Sequence, residues 1–227
     1  MNHERDLVIA WIRVGSVCGF VSFACYILAV FAPLPDTIVL AAAFAFGPLL
    51  AIALIGLYHC LALHRRGPLV QIATLCGVGG GLVVLLMLST QQAIFSALRS
   101  AQPDDEQARL LFATTRSGLN AVHFGLDVAW DILISSAVIL FGIAMLRHPV
   151  FGRLIGSIGI VCGFVLLAFN LYYFPTPPAS ANSIDWGPLV ALWLLVSFFL
   201  LTFKGLKWAK QQETESMKHK FAVGASV

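Results

Sequence analysis

Six apolar runs, each long enough to cross a bilayer as a helix, constrain this chain more than any other feature. A spanning helix needs about 20 apolar residues. Segments 14–32, 38–63, 69–98, 119–146, 151–174 and 187–203 meet that requirement. A helix satisfies its own backbone hydrogen bonds, so it can sit in a solvent that offers none. Composition agrees: hydrophobic residues make up 59% of the chain and charged residues 11%, against roughly 25% charged in soluble domains. The expected fold is all-α, a polytopic membrane helix bundle forming a single transmembrane domain over residues 1–227. The first run is too long for the core of a signal peptide. Its start carries Glu4 and Asp6 beside Arg5 and Arg13, and cleavage after Ala32 would leave Pro33 next. It is expected to be retained as a span.

Basic residues set the orientation. Arg5, Arg13, Arg65, Arg66, Arg147, Arg153 and five lysines from Lys204 to Lys220 fall on one side of a six-span arrangement. Only Arg99, Arg109 and Arg116 fall on the other. Both termini are therefore expected in the cytoplasm, with residues 204–227 as a basic tail held near anionic lipid by its lysines and Trp208. The connection 99–118 is expected as an outer loop. Within it Pro103, Asp104, Asp105 and Glu106 form a helix-start signal, with acids against the positive end of the dipole. The fourth span is expected to begin above the membrane, with a break at Gly118. Gly47-Pro48 in the second span predicts a kink or an irregular outer part.

The charge balance of +3 does not form a basic, aromatic-interleaved patch, so nucleic acid is excluded as a partner. The five cysteines all lie within spans and lack a C-x-x-C pair; they are packing residues. Gly79-Gly80-Gly81 lacks the lysine and the strand of a phosphate loop. No lysine lies in mid-span to carry a Schiff base. Gly152, Gly156, Gly159 and Gly163 share one face of the fifth span, and Gly77 and Gly81 one face of the third; such faces let helices approach closely. Two similar stretches, Cys18-Gly19-Phe20-Val21 and Cys162-Gly163-Phe164-Val165, suggest that the first and last hairpins are related.

The stretch that carries chemistry is in the fourth span. Asn120, His123, Asp127, Asp131 and Ser135 are spaced 3, 4, 4 and 4 residues apart, which places them on one helical face. A polar face cannot look at lipid, so it must face the bundle interior or a water-filled cavity. Counting from Leu119 at about 1.5 Å per residue puts Asp131 roughly 18 Å deep, near mid-membrane. Gln91 at the end of the third span, Asn170 and Tyr173 at the end of the fifth, and Asp36 and Asp185 at the outer turns could join it. Candidate ligand- or ion-binding residues are thus Asn120, His123, Asp127, Asp131, Asn170, Tyr173 and Gln91. No metal site is expected, because His59, His64 and His148 lie at the opposite end from His123. His59 beside Tyr58 is expected to be a packing histidine. No cofactor is indicated.

The chain resembles an uncharacterised family of bacterial six-helix integral membrane proteins. The resemblance rests on Trp130-Asp131-Ile132, on Arg147-His148-Pro149 followed by Phe151-Gly152-Arg153, on the turn from Phe174 to Pro178, and on Ile184-Asp185 leading into Gly187-Pro188-Leu189. It implies a multi-pass protein of the bacterial inner membrane and supplies no catalytic residue. Three functions remain open. One is an outward-facing pocket binding or translocating a small ligand, cation or proton. Another is a structural or interaction protein in which the stripe only fixes packing. The third is an intramembrane enzyme using Asp127, Asp131 and His123. The lipid bilayer is the one certain partner, and the apolar faces leave room for a homo-oligomer.

Overall fold

The computed structural model describes residues 2–31, 36–100, 105–212 and 214. Six helices follow in order: α1 (Asn2–Phe31), α2 (Asp36–His64), α3 (Pro68–Ser100), α4 (Glu106–Met145), α5 (Gly152–Tyr173) and α6 (Gly187–Leu200). A 3₁₀ turn, Pro178–Ala181, interrupts the α5–α6 connection. A π turn, Leu201–Gly205, follows α6, with the Leu206 N–H reaching back five residues to the Leu201 carbonyl. Among the described residues there is no strand. Helix resumes after the π turn, and with α6 continued through it to Gln212 all six are long and apolar enough to cross a membrane. Pro33, Pro35, Pro103, Asp104, Lys218 and Lys220 lie outside the described residues.

Each helix packs against its neighbours in sequence, and α6 returns to α1, so the six close into a ring. The tightest seams run through glycine. Gly15 on α1 meets Gly56 on α2, where a β-carbon on Gly15 would stand 2.5 Å from the Gly56 α-carbon. Gly47 and Gly81 join α2 to α3 in the same way, backbone against backbone. Gly142 and Gly156 join α4 to α5. The loss of side chains at these points lets dispersion and lipid release hold helices that the hydrophobic effect cannot hold inside a bilayer.

α6 is attached differently. Trp193 lays its indole over Gly159, which has no side chain to displace it. Its Nε1–H donates to the Ile155 carbonyl at 2.8 Å. The glycine face of α5 is therefore divided, with Gly156 and Gly163 against α4 and Gly159 against α6. The first and last hairpins, similar in sequence, close by different contacts. Trp193→Phe keeps the ring over Gly159 and deletes one hydrogen bond. It is expected to lower stability by about 1 kcal/mol, measured by SDS titration of the micelle-bound protein.

The helix start expected at the acids holds, so residues 106–118 of the outer connection are helix: α4 starts at Glu106 and runs 40 residues to Met145, and the expected break at Gly118 is absent. The Asp105 carboxylate caps it, accepting the Ala108 N–H at 2.6 Å, which satisfies a donor that has no partner within the helix. Gly118 has open space around it, so nothing pries the helix apart there. At about 1.5 Å per residue α4 is roughly 60 Å long, twice a bilayer core of about 30 Å. Its first turns must project. In α2, Pro48 sits inside one continuous helix. The Ser22 hydroxyl of α1 donates to the Phe46 carbonyl at 3.3 Å just before it.

Candidate functional site: an acid-lined cavity

Inside the ring, at the end marked by the α5–α6 connection, lies a cavity of about 250 Å³. All six helices contribute to it. Ser22, Phe23 and Tyr26 come from α1, Phe46 and Leu50 from α2, and Val84, Met87 and Leu88 from α3. Asp127, Trp130 and Asp131 come from α4, Leu166 from α5, and Val190, Ala191 and Leu194 from α6. Pro177, Pro178 and Asp185 of the α5–α6 connection stand at its mouth. Ile134, Leu166 and Phe198, all buried in the core, close the inner end. Gly19 lets the Phe198 ring cross α1 there.

The polar stripe of α4 divides along its length. Asp127 and Asp131 line the cavity. Ser135, one turn further in, is fully buried and returns its hydroxyl to the Asp131 carbonyl at 2.5 Å. His123, a turn nearer the mouth, is half-buried, and its Nδ1 has no hydrogen-bond partner. Asn120 is exposed. Asn170 is brought in from α5: its Nδ2 donates to Asp131 Oδ2 at 2.9 Å and to the Leu166 carbonyl at 3.0 Å. The residue is 0% exposed, yet its Oδ1 has no partner. Gln91 and Tyr173 are at the same end of the bundle but not in the cavity wall. Gln91 is half-buried on α3, and Tyr173 packs edge-on against Tyr172 with ring centres 4.9 Å apart.

The Asn170 bond also corrects the depth of Asp131. Asn170 is three residues from the end of α5 at Tyr173 and eighteen from its start at Gly152. At about 1.5 Å per residue Asp131 is therefore level with a point about 5 Å from one end of a span roughly 33 Å long. It lies near one end of the helical span, not at its middle. Counting from Leu119 misplaces it because α4 projects beyond the other helices.

Asp185 precedes α6 and accepts the Gly187 N–H at 2.8 Å. It lies within electrostatic reach of both α4 carboxylates. None of the described lining residues is Lys, Arg or His. Among the described residues no group of three His, Cys, Asp or Glu could hold a metal ion. The histidines His64 and His148 sit at the far end, facing each other with ring centres 5.1 Å apart. His59 stacks on Trp11 at 5.6 Å, with the planes 13° apart.

Sequence reasoning picks out Asp127, Asp131 and Asn170, which the structure joins, and mentions Asp185. It misses the aromatic wall of Phe23, Tyr26, Phe46 and Trp130. A ring in a span gives the same apolar signal whether it faces lipid or a cavity.

The fold and the site together define a multi-pass membrane helix bundle with an acid-lined cavity at one end. No protein-family model, no curated protein and no solved structure matches the chain.

Proposed function

We propose that this is a multi-pass protein of the bacterial inner membrane, with both termini cytoplasmic, that binds or translocates a small cation or proton. Asp127 and Asp131 are the acceptors. The observation that carries this is the two carboxylates on the wall of a cavity of about 250 Å³ with no basic lining residue among those described. Packing alone does not require that space: a stripe serving only as glue would be closed over by its neighbours. Orientation rests on the basic residues Arg65, Arg66, Arg147, Arg153 and Lys204, which belong to the end away from the cavity mouth. By the positive-inside rule the mouth then faces outward. The bacterial source rests on the resemblance in sequence.

A structural role has one observation in its favour. The Asn170–Asp131 hydrogen bond ties α5 to α4, which is what interhelical polar contacts do in membranes. Thiol accessibility separates the two. In a cysteine-free background, Asp127→Cys and Ala191→Cys are expected to react with a membrane-impermeant maleimide added to intact cells. Val161→Cys, on the exposed side of α5, is expected not to react. Labelling only in inverted vesicles would reverse the orientation. No labelling at either cavity position, in protein that still purifies as a single species, would leave the packing role.

A further inference from the structure

The carboxylates of the cavity are faced by aromatic rings. Trp130 lies between Asp127 and Asp131 on α4, and its indole meets Phe46 with ring centres 6.0 Å apart and planes at 69°. Phe46 in turn meets Tyr26 at 5.6 Å and 40°. All three rings line the cavity, so they form one continuous aromatic side running from α1 across α2 to α4. Ring faces are the negative parts of an aromatic group and attract cations that shed their water readily.

Size and donor type then narrow the cation. At roughly 30 Å³ per water, the volume of about 250 Å³ equals about eight waters. A bare metal ion does not fill that space, and hard divalent cations want six or more oxygen ligands. Most of the wall here is carbon. Asn170, buried behind the wall, holds the Asp131 carboxylate in place through its Nδ2.

Resting on the cation-binding function above, we propose that the cavity takes a small organic ammonium ion bearing an aromatic or apolar group. Its charge lies against Asp127 and Asp131, and its apolar part against Tyr26, Phe46 and Trp130. The role of the rings is to select, among cations of one charge, those with an apolar body.

The test uses the full-length protein in nanodiscs of phosphatidylcholine, which carries no net charge to attract amines. Calorimetric titration compares phenethylammonium with 2-phenylethanol, a neutral molecule of nearly the same shape. Phenethylammonium is expected to bind about tenfold or more tightly than the alcohol, the effect of a charge-assisted contact. Asp131→Asn, which keeps an acceptor for Asn170, is expected to reduce that preference severalfold, and the further change Asp127→Asn to abolish it. Trp130→Leu is expected to weaken the amine about fivefold and the alcohol less. The two-probe comparison on the unmodified protein does not depend on any variant folding. Equal affinity for the two probes overturns the inference.

A second measurement separates this inference from the cation-binding function. Ala191→Cys keeps both carboxylates, and its labelling is followed with sodium or phenethylammonium present. Slower labelling with phenethylammonium supports the inference. Slower labelling with sodium alone overturns it and leaves the small-cation function standing. No protection by either overturns the inference and, of the function above, leaves only the proton.

Discussion

Replacing Gly56 with leucine is expected to destabilise the protein by about 3 kcal/mol or more, and the same change at Gly15 to act alike. Overpacking a well-filled interior costs about 1–3 kcal/mol when side chains can shift. Here the nearest atoms are main chain. A β-carbon on Gly56 would fall 2.6 Å from the Gly15 α-carbon and 2.8 Å from the Trp11 carbonyl oxygen. Backbone cannot swing away as a side chain does, so α1 and α2 must separate along the seam. That seam also positions the α1 wall of the cavity, so ligand binding should fall with stability. Gly118→Ala provides the opposite sign. Nothing lies within 4 Å of the added carbon, and alanine is the better helix former by about 0.8–1 kcal/mol. SDS titration of the purified variants checks both. If Gly56→Leu unfolds at the wild-type midpoint, the close approach of α1 and α2 is wrong.

The six helices are legible in the sequence because a bilayer admits so few solutions. Length and apolarity are enough to find them. What one-dimensional reading misses is how far a helix continues once it leaves lipid. The acids at the start of 106–118 announce a helix but not that it runs unbroken into the span behind it, which the Asp105 cap and the open space around Gly118 allow. Gly118 costs about 1 kcal/mol relative to alanine, too little to break a helix of 40 residues. The glycine face of α5 is visible as a period, but its division between α4 and α6 is not. That division depends on the Trp193 indole arriving over Gly159.

The candidate site is legible in part, and for a physical reason. Polar residues at helical spacing in an apolar run are rare enough to be noticed, so Asp127 and Asp131 are visible without a structure. Their level is not, since it is fixed by the bond to Asn170 on another helix. Gln91, Tyr173 and Asn120 share the end of the bundle with the cavity but point into other surroundings, which no spacing within one helix can reveal. Asp185 is visible only as a turn residue. Its hydrogen bond to the Gly187 N–H, at the start of α6, is what holds it at the mouth.

The far end of the bundle holds a group whose role the sequence gives no hint of, and it predicts a pH response. His148, between α4 and α5, is 2% exposed. The Val150 N–H donates to its Nδ1 at 3.2 Å. That leaves Nε2 to carry the proton, 3.4 Å from the Cys60 carbonyl of α2. The first contact requires the neutral ring; the second is open to either form and offsets burial slightly. His64 stands beside it, with Trp208 at 4.8 Å and Phe151 at 5.2 Å between ring centres. Burial, with a smaller contribution from His64, pushes its pKa down to about 4. An unfolded histidine titrates near 6.5. Between these values the unfolded chain holds a proton that the folded one does not, so stability falls as the pH falls. The contribution is complete above about pH 6.5 and is lost progressively down to about pH 4. Over that window the loss reaches about 3 kcal/mol at 1.36 kcal/mol per unit. His148→Gln retains a donor and an acceptor and does not titrate. Subtracting its stability profile from that of the wild type, over pH 4–7, removes the carboxylates common to both. The difference should slope across the whole window. A flat difference would mean that His148 is charged in the folded protein, and then the bond from Val150 N–H to Nδ1 could not exist.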